Sequence, residues 1–295
     1  MPPRSFIALA AILAAATTFL PAAAQEQIAK NVSVERDLEF SRPGDKPLLL
    51  DLYRPSEPAG PLPVVMWIHG GGWKQGSKDR TPAAWLAENG YAVVSINYRL
   101  TDVATWPAQI EDCRAAVRWI RTHAAEFGLD AERIGVWGGS AGGHLAALLG
   151  TLDPPAEEAV SSRVRAVCDW YGPSDLLTAP ANVPGPNRGE QELAESNGAK
   201  LLGGIVRDLP DLAKQASPLH QVSKGDAPFL IMHGDADKTV PLDQSRRLHE
   251  ALREAGVEST LEVLHGKRHS TKEFHTADDR KLTLQLFNRP LRAAE

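Results

Sequence analysis

One serine of this sequence lies in a pattern typical of a nucleophile. Ser140 is the centre of the pentapeptide Gly138–Gly142, which has the form G-x-S-x-G. The pentapeptide follows the apolar segment 134–137 and precedes the run 144–149, which we predict to be helical. A serine held out at a sharp turn between a strand and a helix can attack a carbonyl carbon. The pentapeptide alone is weak evidence, so the prediction depends on its strand–turn–helix context.

A glycine run follows another predicted strand and suits the stabilisation of a developing negative charge. The segment His69–Trp73 reads HGGGW and comes directly after Val64–Ile68. Backbone N–H groups of glycines can approach a ligand closely and point at an oxyanion. A flexible turn is the plainer alternative, and a phosphate-binding loop is excluded because no Gly-Lys-Ser/Thr follows. We predict an oxyanion hole made by Gly71 and Gly72 with the residue after the nucleophile, Ala141.

A nucleophilic serine needs a histidine base, and the sequence has nine histidines. In chains of this pattern the base follows the last strand of the sheet, an order that His265 and His269 both satisfy. His265 continues the predicted strand, whereas His269 follows a glycine and is better placed to reach a site. We therefore predict His269 as the base and keep His265 as the alternative. His69 and His144 flank the glycine motifs and are expected to be structural.

The histidine in turn needs a carboxylate that orients it. Asp235 and Asp237 both follow the predicted strand Pro228–Met232. We prefer Asp237 because Val240-Pro241, which opens the next helix, comes soon after it, and Asp235 is then a turn residue. Asp175 follows another strand and is a weaker alternative.

Short apolar runs alternate with amphipathic stretches along the chain, which indicates a mostly parallel sheet covered by helices on both faces. The first two strands have no helix between them, so we expect them to be antiparallel. The predicted strands are Val34–Phe40, Leu48–Tyr53, Val64–Ile68, Tyr91–Asn97, Ile134–Trp137, Val164–Trp170, Pro228–Met232 and Thr260–Leu264.

The sequence predicts three helices from capping residues or from the spacing of apolar residues. Thr81-Pro82 predicts a helix start, with threonine as N-cap and proline in the first turn. A second helix has its apolar positions from Ile110 to Ala124 on one face and ends at Gly128. A third runs from Leu242 to Ala255.

One segment interrupts this alternation and is predicted to be an insert. Residues 178–219 are rich in Pro, Gly and Asn at first and then weakly helical. Inserts of this size near a site are often lids or substrate walls, although a plain surface excursion is the alternative. Trp73 and Tyr171 are candidate substrate contacts, but tryptophans such as Trp73, Trp106 and Trp170 are also common in cores.

The N-terminal residues differ from the rest. They have the three features of a secretory signal peptide: a positive charge at Arg4, an apolar core over Phe6–Leu20 and small residues at the cleavage site, Ala22–Ala24. We therefore predict a signal peptide over residues 1–24, a single domain over 25–295 and a secreted or periplasmic location. An anchor or an Ala-rich tail is the alternative, but the run is shorter than the ~20 residues of a spanning helix. No later segment is apolar enough to span a membrane.

The charge distribution argues against nucleic-acid binding, and the cysteine spacing argues against a zinc site. The 32 basic and 37 acidic residues are interspersed, and the net charge is −5. With no basic stripe, we expect no nucleic-acid partner. Cys113 and Cys168 are predicted as two buried thiols rather than one disulfide, and neither has zinc-ligand spacing. The sequence does not specify an oligomeric state.

These motifs together resemble the bacterial esterases of the α/β-hydrolase superfamily, near its hormone-sensitive-lipase-like and its feruloyl and acetylxylan esterase-like groups. The resemblance runs from about Lys46 to Phe287 and includes Asn97–Leu100 and Tyr171–Asp175. It implies an α/β-hydrolase fold with a mostly parallel eight-stranded sheet, helices on both faces and a small insert or lid. In many relatives a glycine follows the catalytic histidine, whereas Ser270 stands there in this chain.

The resemblance implies a serine-dependent carboxylic ester hydrolase that works through an acyl-enzyme, with no cofactor and no metal. Ser140, Asp237 and His269 match the family's catalytic residues. Short-chain acyl, acetyl or feruloyl esters, either small or linked to polysaccharide, are the expected substrates. A prolyl-oligopeptidase-like peptidase or an amidase is one alternative, although the chain has no room for a large propeller. A binding protein that has lost catalysis is another.

Overall fold

A computed structural model describes residues 31–186, 188–269, 272 and 274–292. The predicted signal peptide, residues 1–24, lies outside the described residues. Across the part of the chain that is described, we find no helix with the length and apolar character needed to cross a bilayer.

The apolar runs form one eight-stranded sheet, in agreement with the predicted fold class. Its strand order is β1-β2-β4-β3-β5-β6-β7-β8, with β1, β2 and β4 paired antiparallel and all other neighbours parallel. The predicted antiparallel start is therefore confirmed. The strands are β1 (Val32–Ser41), β2 (Leu48–Pro55), β3 (Leu62–Ile68), β4 (Ala92–Ile96), β5 (Leu129–Gly139), β6 (Val167–Trp170), β7 (Phe229–Gly234) and β8 (Ser259–Leu264).

Helices cover both faces of the sheet. They are α1 (Ala108–Thr122), α2 (Ala124–Phe127), α3 (Ala141–Thr151), α4 (Glu190–Ala194), α5 (Asn197–Leu202), α6 (Pro210–Gln215), α7 (Leu242–Glu254) and α8 (Ala277–Arg292). Along β3, Met66 and Ile68 belong to one buried apolar cluster and Val65 and Trp67 to the other, because successive side chains of a strand point to opposite faces. The two clusters are the cores beneath the two helix layers.

Two helix predictions need correction. The helix expected from Thr81 begins later, at Ala84, and is a short 3-10 helix, Ala84–Asn89. The Thr81 hydroxyl accepts a hydrogen bond from the Ala83 N–H in the preceding turn instead of capping the helix. The long helix expected to end at Gly128 is two helices, since α1 ends at Thr122. The Thr122 hydroxyl donates to backbone carbonyls one turn back, which competes with continuation of the helix.

The two cysteines are separate buried thiols, so the disulfide alternative is wrong. Cys113 lies on the inward face of α1 and Cys168 lies in the middle of the sheet, on β6. Burial raises the pKa of both thiols well above the ordinary value. Neither thiol is therefore suited to act as a nucleophile at neutral pH.

The strands bring the predicted functional segments to one edge of the sheet. The glycine run follows β3, Ser140 follows β5, and the predicted acid and base follow β7 and β8. These four strands run parallel, so their carboxyl ends share an edge. Residues 178–219, between β6 and β7, contain α4, α5, α6 and two short 3-10 helices, Pro180–Asn182 and Val206–Asp208, and a third, Pro218–His220, begins within them.

Candidate active site

Ser140 stands at a sharp turn between β5 and α3. Its backbone has φ 57° and ψ −119°, a strained conformation for a residue with a side chain. The Ser140 N–H donates to the Trp170 carbonyl at 2.8 Å, which ties the turn to the end of β6. A Cβ atom on Gly142 would stand 2.0 Å from the carbonyl oxygen of Ile68, so only glycine fits there. This crowding explains the second glycine of the pentapeptide.

His269 bridges Ser140 and Asp237. Its Nε2 lies 2.8 Å from the Ser140 hydroxyl oxygen, and its Nδ1 lies 2.6 Å from a carboxylate oxygen of Asp237. In the neutral tautomer that fits these contacts, Nδ1–H donates to the carboxylate and Nε2 accepts from the serine hydroxyl. The Asp237 side chain is fully buried, whereas the imidazole of His269 is 19% exposed. Three residues predicted from separate loops thus form one hydrogen-bonded chain.

The loop after β7 holds Asp237 as an ion. Burial opposes ionisation, but hydrogen bonds from His233 and His269 and from the Val240 N–H outweigh it and keep the pKa of Asp237 well below its usual range. One carboxylate oxygen accepts backbone N–H bonds from Thr239 at 2.8 Å and from Val240 at 3.0 Å. The other oxygen faces both histidines, at 2.6 Å from His269 and 3.3 Å from His233. The carboxylate is therefore both charged and fixed in orientation.

His233 supports this loop from behind, a function that the sequence did not indicate. It is completely buried, its Nδ1 lies 2.7 Å from the Ser245 hydroxyl, and its Nε2 lies 2.8 Å from the Val240 carbonyl. The Ser245 hydroxyl donates to Nδ1, which leaves Nε2–H to point at the acid loop. A histidine at a strand end is a common structural residue, so only the fold reveals its second contact with Asp237.

The alternative acid and base pair with each other away from Ser140. A carboxylate oxygen of Asp235 lies 2.8 Å from Nδ1 of His265, whose side chain is 87% exposed. Its other oxygen accepts the Gly266 N–H at 2.7 Å. Asp235 thus closes the turn, as expected for the residue not chosen as the acid.

Asp175 belongs to another network. It accepts hydrogen bonds from Thr178 at 2.9 Å and from Arg247 at 2.9 Å, and His220 lies 3.3 Å away. Thr178 is the first residue of the predicted insert and His220 directly follows its last residue, whereas Arg247 lies on α7. Asp175 therefore joins the insert to the sheet domain, and no contact brings it to His269.

The glycine loop lies directly against the nucleophile turn. A Cβ atom on Gly70 would stand 2.7 Å from the Gly139 carbonyl oxygen and 3.3 Å from the Cβ of Ser140. Gly71 and Gly72 follow with φ 115° and 61°, which turns the backbone sharply beside the serine. Ala141, the third predicted donor, is the first residue of α3. Ala141 thus adjoins Ser140 along the chain, and Gly71 and Gly72 directly follow the glycine that packs against it. The oxyanion role of all three stays a prediction.

His144 links three parts of the site. The indole Nε1–H of Trp73 donates to its Nδ1 at 3.3 Å, and its Nε2 lies 2.6 Å from the Ala216 carbonyl oxygen. Burial lowers the pKa of His144 to about 4, so the ring is neutral at pH 7. The structural role expected for His144 thus has a specific form, which depends on a contact with Ala216 that no sequence pattern indicates.

The two candidate substrate contacts are both mostly buried. Trp73 is 5% exposed and packs edge-on against His144 with ring centroids 5.0 Å apart. Tyr171 has φ 45° and packs edge-on against His269 with centroids 4.7 Å apart. Tyr171 thus supports the imidazole. Contact of either side chain with substrate stays a prediction.

No cluster of three or more His, Cys, Asp or Glu side chains within the described ranges is arranged to bind a metal ion. The groups that meet at the carboxyl edge of the sheet are a serine hydroxyl, an imidazole, a carboxylate and backbone N–H groups. This set can carry out acyl transfer.

Comparisons with curated proteins identify relatives along most of the described chain. Esterase LipQ of Mycobacterium tuberculosis (strain ATCC 25618 / H37Rv) is 37% identical over 226 residues, which cover 72% of this chain and 52% of LipQ. Esterase LipC of the same organism is 33% identical over 221 residues, 71% of this chain and 53% of LipC. The chain thus spans about half the length of these two relatives.

Solved structures show the same architecture. A carbohydrate esterase from gut microbiota, solved in a truncated form, superposes with a TM-score of 0.78 and 31% identity, over 88% of this chain and 96% of that one. The esterase Est2 of Thermogutta terrifontis superposes with a TM-score of 0.67 and 29% identity, over 87% and 90%. The family model BD-FAE matches residues 50–252, more than half of the chain. With this match, the chain belongs to the BD-FAE family of the α/β-hydrolases.

Proposed function

We propose that this protein is a carboxylic ester hydrolase that works through an acyl-enzyme on Ser140. The observation that carries the proposal is the hydrogen-bonded chain from the serine hydroxyl through His269 to Asp237, with contacts of 2.8 and 2.6 Å. Family membership and the esterase names of the relatives support it.

In the first step the Ser140 oxygen attacks the ester carbonyl carbon while its proton moves to Nε2 of His269. The buried charge of Asp237 stabilises the imidazolium that forms. The carbonyl oxygen becomes an oxyanion, to which the N–H groups of Gly71, Gly72 and Ala141 donate in this proposal. When the tetrahedral intermediate collapses, the alcohol leaves with the proton that His269 returns to it.

In the second step a water molecule replaces the alcohol. His269 takes a proton from this water as its oxygen attacks the acyl carbon. A second tetrahedral intermediate collapses, the carboxylic acid leaves, and the proton returns to the Ser140 oxygen. The enzyme is thereby restored with no external reactant except water.

For the substrate we propose short acyl esters, with acetyl groups on carbohydrate as the first choice. A carbohydrate esterase is among the similar solved structures, and the superposition covers 96% of its truncated chain. Feruloyl esters are the alternative acyl group. Both substrate classes rest on similarity rather than on a contact in this structure.

The test is hydrolysis of p-nitrophenyl acetate, butyrate and octanoate by the protein, with Ser140→Ala as its partner variant. We expect turnover that Ser140→Ala reduces at least about 10⁴-fold, because the remaining oxyanion hole alone supplies little rate. Labelling by a fluorophosphonate should likewise need Ser140. If Ser140→Ala hydrolyses these esters as fast as the parent, the proposal is wrong. If the folded parent takes the label but hydrolyses no ester, a peptidase or amidase becomes the better assignment.

A further inference from the structure

One polar side chain of the segment 178–219 lies against the glycine loop. A Cβ atom on Gly72 would stand 2.4 Å from Nδ2 of Asn197, 3.0 Å from its Cγ and 3.5 Å from its Oδ1. The carboxamide of Asn197 therefore packs directly on the bare face of Gly72. Gly72 is one of the residues to which we assign oxyanion binding.

The backbone around Asn197 is fixed from both sides. Asn197 is the first residue of α5, and the preceding Ser196 caps that helix by accepting the Ala199 N–H at 3.0 Å. Further along, the Trp106 N–H donates to the Leu201 carbonyl at 2.7 Å, and the Leu201 side chain is fully buried. A capped helix with a buried anchor holds its first residue in one place. The contact between Asn197 and Gly72 is therefore fixed by the packing and capping of α5.

The carboxamide of Asn197 has its hydrogen-bonding capacity available. The residue is half-buried, and its side chain has no hydrogen bond to any other residue in the described part of the chain. An amide carries two N–H donors and one acceptor oxygen, a combination that suits hydroxyl groups, which both donate and accept. A half-buried polar group of this kind, packed on the glycine loop to which we assign oxyanion binding, is available to bind a substrate.

The glycine loop relates the position of Asn197 to that of Ser140. The glycine loop runs from Gly70, whose missing Cβ would contact Ser140, to Gly72, whose missing Cβ would contact Asn197. Ser140 and Asn197 thus contact the same glycine loop, at glycines two positions apart. Because acetyl, the acyl group that we propose first, has no hydroxyl group, a hydroxyl group bound by Asn197 belongs to the alcohol part of the ester.

From this juxtaposition we propose that Asn197 binds substrate through hydrogen bonds to a hydroxyl group of the alcohol part of the ester. The proposal rests on the esterase function assigned to Ser140 and specifies its substrate class as acyl esters of hydroxylated alcohols such as sugars. Asn197 is then a specificity residue. It favours such esters over those whose alcohol has no hydroxyl group.

The test compares two substrates in Asn197→Ala and in the control Lys200→Ala, which removes an exposed side chain from the same helix. Partially acetylated xylo-oligosaccharides carry free hydroxyl groups, whereas p-nitrophenyl acetate carries none. For the oligosaccharides, followed by acetate release, we expect Asn197→Ala to lower kcat/KM about tenfold, mainly through KM. For p-nitrophenyl acetate we expect a change of less than about twofold in the same variant. Lys200→Ala should match the parent on both substrates.

The outcomes separate this proposal from the esterase function. An equal loss on both substrates would show that Asn197 acts on the catalytic groups or the fold, and would overturn the proposal. No loss on either substrate would overturn it too, as would a parent that hydrolyses p-nitrophenyl acetate but not the oligosaccharides, and in both cases the esterase function would stand. A parent that hydrolyses neither substrate and takes no fluorophosphonate label would refute both.

Discussion

Replacing Asp237 by Asn changes one atom of the site and tests the acid directly. One carboxylate oxygen accepts the N–H groups of Thr239 and Val240, and an asparagine oxygen can keep both bonds. The new NH₂ group then faces Nδ1 of His269, where the parent has a carboxylate oxygen at 2.6 Å. Two donors cannot share that contact, so the imidazole proton should move to Nε2. His269 would then present N–H instead of a lone pair to Ser140.

The size of the effect follows from this tautomer change and from the lost charge. A base in the wrong tautomer cannot accept the serine proton, and the imidazolium that forms later has no buried anion beside it. The same substitution in a serine protease triad lowers kcat by about 10⁴. That factor corresponds to about 5.4 kcal/mol in the activation free energy. We expect a loss of this order for Asp237→Asn, with KM for p-nitrophenyl acetate changed little.

Asp235→Asn is the matched control, since it makes the same chemical change two residues away. Asp235 pairs with the exposed His265 and not with the serine–histidine pair. Its replacement should keep kcat within about threefold, because surface pairs of this kind contribute little. The assay is kcat for p-nitrophenyl acetate at pH 8, with circular dichroism to show that each variant is folded. A folded Asp237→Asn that keeps full activity, or an Asp235→Asn that loses it, would refute the assignment of the acid.

Three further predictions concern stability and the buried groups. Gly142→Ala should lower the free energy of unfolding by roughly 2–4 kcal/mol, measured by urea denaturation, because its Cβ would stand 2.0 Å from the Ile68 carbonyl; an unchanged midpoint would contradict this. Burial lowers the pKa of His144 from 6.5 to about 4 in the folded state, so the unfolded state binds a proton more readily. The free energy of unfolding should therefore fall as the pH is lowered from 6.5 to 4. The fall is on the order of 3 kcal/mol, and His144→Gln should show a shallower pH dependence of the urea midpoint, so equal slopes would argue against the buried neutral ring. Cys113 and Cys168 should not react with a thiol reagent in the native protein, whereas the denatured, unreduced chain should show two free thiols, and a result of none would mean a disulfide.

The sheet was largely predictable because its strands are buried. A strand covered on both faces must be apolar along its length, and β3, β4 and β7 show this as short continuous runs. The helix starts were less predictable, as at Thr81. A threonine hydroxyl can accept a hydrogen bond from an N–H group of a turn as readily as from one of a helix, and the sequence does not indicate which of the two forms.

Some contacts of the candidate site were likewise predictable from the sequence and others were not. The juxtaposition of Ser140, Asp237 and His269 was predictable because each follows a strand whose order along the chain is fixed by the fold. The contacts of His144 with Ala216 and of Asn197 with Gly72 join residues more than 70 positions apart and involve the irregular segment 178–219. No periodicity or motif encodes such pairs, because they depend on where short helices pack in three dimensions.

One neutral imidazole connects the elements that this site needs. His144 lies on α3, four residues beyond the serine, and its Nδ1 accepts the indole N–H of Trp73 from the glycine loop. Because Nδ1 is the acceptor, the single ring proton is on Nε2, where it donates to Ala216 in the segment 178–219. A protonated ring would set an N–H against the Trp73 N–H, and burial, which lowers the pKa, prevents this. Helix α3, the glycine loop and the segment that carries Asn197 are thus held to one another through a single tautomer. This end of the segment is therefore fixed to α3 and to the glycine loop by hydrogen bonds of one side chain.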